Sequence, residues 1–552
     1  MWRRTYLLLW FIRLYFALSP SYLHPDEVFQ GPEVIAGSVL GYPNRKTWEW
    51  TSSTPIRSVF PLWPVYGLPM LLLQWLVPGD SNGNVDPATL YYTLRFVMFM
   101  MSFVLEDWAI HELVHSPLYR RQALVLVASS FVTWTFQTHT FSNSIETLVV
   151  LWSLALIERI LSEQKRSSIG SSAVLGFLIV FGTFNRVTFP AFIAIPGLRL
   201  LPHFRNRRAS LAAITLSGLL WTCIAVATDT VYYNGPEASD SLGALLSHLS
   251  KTPVITPLNN IRYNSRTSNL AQHGLHPRYQ HLVANLPQLL GPALPFLLST
   301  LYPFTIANIK LRLSNPRLLS AATSIAILSI FPHQEPRFLL PCVPLLLTSF
   351  PLPHSGRLAA AFWTSWVGFN AVLGVLMGVY HQGGIIPSVL SLPSLIPPAL
   401  NATHSSAHNI EVFYWKTYPP PNYLLGSPPP KNPVTDQKLN ISLVPLMGIP
   451  QSELAFMLMQ HFPTCDPGLV DYITLPRLVD PIDPSFSIHF LDQRATLGMR
   501  SLQVWRRHVN LDDLDVGEEG VQRTVERVWG HRGLAVWRVE RICPVRPEPT
   551  TP

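Results

Sequence analysis

The sequence predicts an all-α polytopic membrane protein of about eleven spans, followed by an α+β C-terminal region. Of its 552 residues, 48% are hydrophobic and only 13% are charged, whereas soluble globular domains carry roughly 25% charged residues. The mean hydropathy is +0.23. Because the missing charge is spread over many apolar segments, membrane spans explain the composition better than one large soluble core.

The first predicted span covers residues 5–19 and follows Arg3 and Arg4. We interpret it as an uncleaved anchor, because Ser19-Pro20 and the bulky residues after it make a poor signal-peptidase site. The other spans follow by alternation at residues 91–113, 122–138, 145–163, 171–186, 189–203, 209–228, 284–308, 318–331, 337–352 and 358–380. Several prolines interrupt the apolar segment 60–77, so we expect an interfacial or re-entrant helix pair there.

Basic residues set the predicted orientation. Each turn that alternation places in the cytosol is basic, with Arg120-Arg121, Lys165-Arg166, Arg205 to Arg208, Lys310 to Arg317, and Arg357. Since cytosolic loops are enriched in Lys and Arg, we expect a cytosolic N-terminus and far-side loops at 23–90 and 229–283. The chain then divides into a membrane domain, 1–380, and a far-side C-terminal region, 381–552.

Sequons and cysteines bear on the same orientation. The sequons at Asn401 and Asn440 follow the last span, where glycosylation requires a lumenal location. Cys465 and Cys543 either pair in an oxidising lumen or remain free thiols. The net charge of +8 lies in short clusters between apolar runs rather than in a basic stripe with interleaved aromatics, which excludes nucleic acid as a partner.

Polar residues able to do chemistry collect in the predicted far-side loops. The first group is His24-Pro25-Asp26-Glu27, directly after span one. Two adjacent carboxylates and an imidazole at a membrane surface are costly without a function. The alternative is a helix start, with Pro25 in the first turn and the acids stabilising the helix dipole. The two interpretations are compatible, because a helix start also mounts a catalytic carboxylate rigidly.

Three further groups share this face. Glu146 either caps its helix or contacts substrate hydroxyls, and Arg186 on a short turn either binds substrate or snorkels. The long loop contains Asn269, Gln272, His273, His276 and Arg278, whose donors and acceptors suit a sugar or a phosphate. His273 and His276 could suggest a metal, but no third ligand follows at a suitable spacing.

The last group is His333-Gln334-Glu335-Pro336-Arg337. A guanidinium grips a phosphate in bidentate fashion, and Arg337 is expected at the depth of a lipid phosphate. Carboxylates, histidines and arginines on one membrane face are what an enzyme needs to activate a hydroxyl and stabilise a phosphate leaving group. Composition and spacing predict no more than this.

These segments resemble the dolichyl-phosphate-mannose-dependent mannosyltransferases of the endoplasmic reticulum. The HPDE motif of that family stands at His24–Glu27, and its H-[KQ]-E-x-R-F motif stands at His333–Phe338. Segments 140–147, 184–190, 257–260 and 268–278 are most similar to the branch that extends the GPI precursor. The tail, with Asn510–Asp515 and Trp529-Gly530, resembles fungal members.

The resemblance implies a C-type glycosyltransferase fold in the endoplasmic reticulum membrane, with a lumenal active face. It implies inverting, α-1,2-linked transfer of mannose from dolichyl-phosphate-mannose to the third mannose of the GPI precursor, which adds the fourth mannose. Asp26 is then the general base, with Glu27 as the alternative. The implied substrate-binding residues are His24, Glu146, Arg186, Asn269, Gln272, His273, His276, Arg278, His333, Glu335 and Arg337.

The expected partners are the lipid-linked donor and the GPI glycolipid acceptor, with no metal, no other cofactor and no obligate protein partner. One alternative is a sister mannosyltransferase for the third GPI mannose or for the lipid-linked N-glycan precursor. From another class, the alternative is a lipid or sugar transporter or flippase. A transporter should carry ionisable residues mid-span, whereas here they cluster where loops begin. The intact pair of acids counts against a non-catalytic subunit.

Overall fold

The computed structural model describes residues 2–77, 84–163, 166–235, 240–272, 274–352, 356–401, 409–427, 429–450, 453–454, 456–457, 473–477, 496–512, 514, 516–530 and 533–542. His273, Cys465 and Cys543 lie outside these residues. The role of that histidine and the pairing of the two cysteines therefore stay predictions.

Helices make up most of residues 2–401. In chain order they are α1 (Trp2–Ala17), α2 (Asp26–Phe29), α3 (Pro32–Val39), α4 (Trp48–Thr51), α5 (Leu68–Leu76), α6 (Pro87–Met101), α7 (Asp107–Leu113), α8 (Pro117–Ala128), α9 (Phe131–Trp134), α10 (Ser142–Ser162), α11 (Ile169–Asn185), α12 (Pro190–Leu198), α13 (Leu201–Asn206), α14 (Arg208–Asn234), α15 (Leu242–Lys251), α16 (Thr256–Asn264), α17 (Thr267–Ala271), α18 (Leu286–Leu290), α19 (Ala293–Ser299), α20 (Ile306–Leu313), α21 (Pro316–Leu328), α22 (Cys342–Leu347), α23 (Gly356–Val375) and α24 (Ile385–Asn401). Many begin with a proline in the first turn, where its missing N–H costs no hydrogen bond.

Tighter and wider turns extend several of these helices. The π-helical turns are Trp63–Gly67, Ser102–Glu106, His281–Asn285 and Leu376–Tyr380, and the 3₁₀ turns are Phe136–Thr138, Pro336–Leu339 and Asn422–Leu425. The first π-turn runs directly into α5, so residues 63–76 form one continuous helical segment. The expected helix pair in this segment is therefore wrong.

Three described helical stretches are long and apolar enough to cross a membrane alone: Pro87–Leu113, Arg208–Asn234 and Gly356–Tyr380. A fourth candidate is the bent pair His281–Leu290 and Ala293–Ser299, whose two parts meet at 117°. Gly291 stands at the bend with a φ of +48°, and a Cβ there would lie 2.5 Å from the Phe369 ring. Only glycine fits this bend. The count of eleven spans stays a prediction.

Other predicted spans are interrupted where proline or short polar residues fall. Residues 122–138 contain the end of α8, then α9 and a 3₁₀ turn. Residues 337–352 contain a 3₁₀ turn and the six residues of α22. Pro336 begins the 3₁₀ turn, and Pro341 directly precedes α22. By contrast, α10 runs unbroken over 21 residues and most of its side chains are buried. It lies at the centre of the helical domain.

The C-terminal region contains a five-stranded mixed sheet. Its strands are β1 (Asn409–Trp415), β2 (Asn440–Met447), β3 (Ile473–Arg477), β4 (Thr496–Trp505) and β5 (Leu534–Ile542), and helix α25 (Val516–Gly530) precedes β5. The strand order is β2-β1-β3-β5-β4. β1 runs parallel to β2 and β3, and β5 runs antiparallel to β3 and β4. Asn401 and Asn440 are both exposed.

The C-terminal region docks tightly on the helical domain. Buried Glu33 of α3 accepts hydrogen bonds from the backbone N–H groups of Arg45 (2.8 Å), Asn422 (3.1 Å) and Tyr423 (3.3 Å). The backbone N–H of Val509 donates to the Tyr380 carbonyl of the helical domain at 2.8 Å. The contact satisfies the hydrogen bonds of buried backbone groups. It also places the C-terminal region beside the part of the helical domain that contains α2.

Candidate active site

Asp26 begins α2, directly after the first helix, with Pro25 before it. Its backbone N–H donates to His24 Nδ1 at 3.2 Å, which closes a tight turn. One of its carboxylate oxygens accepts hydrogen bonds from Arg337 Nη1 and Gln30 Nε2. The Asp26 side chain is 22% exposed, so an incoming molecule can contact it.

Arg337 lies between two acids. Its Nη2 donates to Glu335 Oε1 at 3.0 Å, its Nε donates to the other Glu335 oxygen, and its Nη1 pairs with Asp26. Asn143 of α10 fixes the backbone at this point by donating to the Arg337 carbonyl at 2.9 Å. Asp26 and Arg337 stand 311 positions apart in sequence, yet they form the centre of the site.

The charges around this centre shift the pKa values of the acids. Burial opposes ionisation of Asp26, but the charges of Arg337 and His24 outweigh it and hold the pKa of Asp26 well below its usual range. Burial also opposes ionisation of Glu335, but Arg337 and His333 outweigh it and lower the pKa of Glu335. Hydrogen bonding to Glu335 at 2.8 Å raises the pKa of His333 in spite of burial. At neutral pH both acids are therefore ionised.

Glu27 faces the opposite way, into the protein, and its side chain is only 2% exposed. His139 Nδ1 lies 2.6 Å from Glu27 Oε2, and the other ring nitrogen contacts Arg95. Arg95 also donates to the carbonyls of Phe16, Ala17 and Ser19 at the end of α1. Burial raises the pKa of Glu27 to about 8, although Arg95 acts in the opposite direction. This acid is enclosed by protein partners.

Glu146 and Arg186 form a buried pair. Arg186 Nε lies 3.0 Å from Glu146 Oε2, and Thr188 Oγ1 donates to Glu146 Oε1 at 2.6 Å. Arg186 also donates to Ser142 Oγ at 3.0 Å, and Ser142 in turn donates to Gln30 at 3.2 Å. Because Gln30 contacts Asp26, a continuous hydrogen-bonded path joins the pair to the exposed acid.

Four residues that we did not single out, one aromatic and three polar, complete this edge. The Phe338 ring lies 5.5 Å from the Arg186 guanidinium and 5.6 Å from that of Arg337. Gln30 Nε2 lies 3.4 Å from Glu49 Oε2, and Arg57 donates to Glu49 at 2.8 and 2.9 Å. Phe338 ends the second motif and Gln30 follows the first by three residues, which was the available signal, whereas Glu49 and Arg57 carried none.

The long loop reaches the site at one point. The backbone N–H of His276 donates to the Pro332 carbonyl at 2.7 Å, and His276 Nδ1 accepts from the Gln334 backbone at 3.3 Å. His333 Nδ1 contacts the Gly274 carbonyl at 3.1 Å. This packing brings His276 within 6.0 Å of His333, ring to ring.

The remaining loop residues lie further from Asp26. Asn269 donates to the Tyr263 carbonyl at 3.0 Å, which closes its own turn. The side chains of Gln272 and Arg278 are exposed, and the Arg278 carbonyl accepts from Gln334 at 3.4 Å. Among the residues that the structure describes, no three His, Cys, Asp or Glu side chains are grouped to hold a metal ion.

A helical domain with apolar outer faces and a paired carboxylate and guanidinium at one edge is the arrangement of a membrane-embedded glycosyltransferase. Residues 4–425 match the model of the Alg9-like mannosyltransferase family. The chain belongs to this family, and it is therefore a polytopic membrane mannosyltransferase, as the sequence resemblance predicted.

Individual relatives are similar over almost the whole chain. GPI mannosyltransferase 4 of Aspergillus oryzae is 50% identical over 98% of this chain and 99% of its own length. GPI mannosyltransferase 4 of Emericella nidulans is 48% identical over 98% of both chains. Among solved structures, ArnT from Cupriavidus metallidurans bound to undecaprenyl phosphate aligns with a TM-score of 0.48 and 10% identity over 97% of both chains.

Proposed function

We propose that this chain transfers mannose from dolichyl-phosphate-mannose to the third mannose of the GPI-anchor precursor, in an α-1,2 linkage and with inversion. Relatives named GPI mannosyltransferase 4, at 50% and 48% identity over nearly full length, support this acceptor. The catalytic part of the proposal rests on one observation. The Asp26 carboxylate is partly exposed and is held against the Arg337 guanidinium.

In the proposed reaction, the 2-hydroxyl of the acceptor mannose attacks the anomeric carbon of the donor from the face opposite the phosphate. The bond from that carbon to the phosphate oxygen breaks, and its electron pair leaves with dolichyl phosphate. The hydroxyl proton passes to Asp26. The β-linked mannosyl phosphate thereby becomes an α-linked mannoside, and base assistance of this kind contributes about 10²–10⁴-fold to the rate.

The Asp26–Arg337 pair is proposed as the resting state of the site. A donor phosphate competes for the guanidinium, which prefers bidentate phosphate contacts. When Arg337 turns to the phosphate, the pKa of Asp26 rises towards its ordinary value, so the acid becomes a better base. Glu335 continues to hold Arg337 on its other side.

The other residues take supporting roles in this proposal. Asp26 is preferred to Glu27 as the base, because Glu27 is enclosed by His139 and does not face an incoming hydroxyl. Arg186 shares the Phe338 face with Arg337 and is proposed as a second cation for the phosphate. Glu146 then orients Arg186 instead of contacting substrate hydroxyls. No metal or other cofactor is proposed, because the lipid phosphate is already a good leaving group.

Lipid analysis of cells that lack the chain tests this function. We expect a GPI precursor with three mannoses to accumulate, and the wild-type chain to remove it. Asp26→Asn should not restore the fourth mannose. Accumulation of a two-mannose GPI precursor, or of a truncated N-glycan precursor, would instead identify a sister mannosyltransferase. Full rescue by the double variant Asp26→Asn with Glu27→Gln would overturn the catalytic assignment.

The finer parts of the architecture are also proposals: eleven spans in the endoplasmic reticulum membrane, a cytosolic N-terminus, and a lumenal face that holds the site and the C-terminal region. The exposed sequon asparagines test the orientation. Asn440→Gln should abolish one endoglycosidase-sensitive mobility shift and leave mannose transfer unchanged. If tags fused to residues 1 and 552 were protected from protease on the same side of sealed microsomes, the odd span count would be wrong.

A further inference from the structure

The C-terminal region reaches the site beside His24. Tyr418 follows β1, and its ring lies 5.9 Å from the His24 ring and 5.7 Å from the Tyr22 ring. Its hydroxyl donates to the Asp512 carboxylate and lies 3.3 Å from His381 Nε2. Since His24 contacts Asp26 at 3.3 Å, a short chain of touching side chains leads from the proposed base to Asp512.

The backbone that carries Asp512 is firmly held. Asn510 Nδ2 donates to the Lys416 carbonyl at 3.0 Å, and Asn510 Oδ1 accepts from the Asp512 backbone at 3.1 Å. The Leu511 backbone donates to His381 Nδ1 at 3.3 Å. These contacts fix the position of the Asp512 carboxylate, yet the residue itself remains exposed. Glu33 differs from Asp512 in both respects: it is fully buried, and its carboxylate oxygens accept hydrogen bonds from three backbone N–H groups.

We propose that Asp512, oriented by Tyr418 and adjoining His24, is a binding subsite for a neutral hexose of the acceptor glycan. This inference rests on the proposed function and specifies which part of the protein binds the acceptor. A carboxylate accepts hydrogen bonds from sugar hydroxyls, while its charge repels the donor phosphate. Asp26 contacts Arg337 through its Oδ2 atom and His24 through its Oδ1 atom, so the donor phosphate is placed on the Arg337 side of the proposed base and the acceptor sugar on the side of His24 and Asp512.

The extent of the family match agrees with a role in acceptor choice. The match covers residues 4–425 and contains Asp26, Glu335 and Arg337. Asp512 lies outside it, in a part of the chain that the GPI mannosyltransferase 4 relatives of Aspergillus oryzae and Emericella nidulans cover. The catalytic centre thus lies in the segment common to the family, and the proposed acceptor subsite draws on a segment beyond it.

Binding of a soluble sugar tests the subsite separately from catalysis. The probe is α-linked mannotriose without lipid, titrated by saturation-transfer NMR against the purified full-length chain in detergent. Asp512→Asn keeps the shape of the side chain and removes its charge, and it should raise the Kd for mannotriose about tenfold. Tyr418→Phe keeps the ring packing and removes the hydroxyl that orients Asp512, and it should weaken binding severalfold.

Asp436→Asn is the matched control, because Asp436 is an exposed acid of the same region that pairs only with Lys431 at 2.9 and 3.1 Å among its side-chain contacts described here. It should bind mannotriose like wild type. The subsite is overturned if wild type does not bind mannotriose, or if Asp512→Asn binds it as tightly as Asp436→Asn. If wild type transfers mannose but Asp512→Asn has an unchanged Kd for mannotriose, the subsite alone is refuted. If mannotriose binding depends on Asp512 but wild type transfers no mannose, the proposed function alone is refuted.

Discussion

Asp26 and Glu27 are neighbours in the chain, but their side chains occupy two different surroundings. On the Asp26 side, Arg337, Gln30 and Glu335 surround a carboxylate that is partly exposed. On the Glu27 side, His139 and Arg95 enclose a carboxylate almost completely. Within one helical turn, a group that can meet substrate stands next to a group that anchors the turn. The difference teaches that chemical type alone does not assign a catalytic role.

The largest expected effect is on catalysis at Asp26. Asp26→Asn should lower kcat for mannose transfer by about 10²–10⁴-fold, because it removes the proposed base. Arg337 keeps its contacts with Glu335 in this variant, so thermal stability should change little. The measurement is a steady-state assay with purified chain, and Asp436→Asn is the control. A loss of less than tenfold would place the base elsewhere.

On the other side of the comparison, Glu27→Ala should act on stability. It leaves His139 Nδ1 buried without its hydrogen-bond partner, and an unsatisfied buried polar group costs about 1–3 kcal/mol. Thermal unfolding in detergent measures this loss. Glu27→Gln retains a hydrogen bond to His139 and should lose much less. If Glu27→Ala unfolded like wild type but lost activity as fully as Asp26→Asn, the two acids would have to exchange roles.

A smaller effect is expected for Arg337→Lys. Lysine keeps the positive charge but cannot bind two acids and a phosphate in the planar geometry of a guanidinium. We expect the KM for the donor to rise about tenfold, equivalent to about 1.4 kcal/mol, with little change in the KM for the acceptor. Arg159→Lys is the matched control, since Arg159 forms a surface pair with Glu112 at 3.1 Å. An equal rise in both KM values would contradict a donor-side role.

The smallest effect concerns pH. The pKa of Glu27 is raised to about 8 in the folded chain, against about 4.3 when unfolded. The folded state therefore binds the extra proton between these values, and its stability falls as pH rises towards 8. The melting temperature of wild type should drop relative to that of Glu27→Gln between about pH 5 and 8, and the difference should stop growing above about pH 8.5. Parallel curves for the two variants would refute the raised pKa.

Much of this arrangement could be predicted from particular residues. Asp26, Glu335 and Arg337 were singled out because charged groups at a membrane edge are costly, and the structure brings them together. Glu146 and Arg186 were singled out separately, but their partnership across α10 and α11 required the fold. The contrast between Asp26 and Glu27 also needed it, since only the folded chain brings Arg337 to one acid and His139 to the other.

Helix ends were harder to predict than helices. The hydropathy of residues 284–308 gives no sign of the 117° bend, which depends on the contact between Gly291 and the Phe369 ring. The single helical segment at 63–76 shows the reverse case, because Pro64 falls in its first turn and Pro69 stands just after the π-helical turn, a local backbone adjustment that accommodates proline inside a helix. Hydropathy records how apolar a segment is, and not what its backbone contacts.

Arg95 binds three carbonyl groups at the end of α1 and, through His139, the residue next to the proposed base. These contacts hold the first helix and the proposed reaction centre in a fixed relative position. A helix that meets a thicker or thinner bilayer adapts by tilting or by bending the lipid around it. With α1 as the first span of the proposed topology, such an adaptation moves Asp26 together with α1, so the spacing between the acid and α1 does not depend on the lipid composition of the membrane.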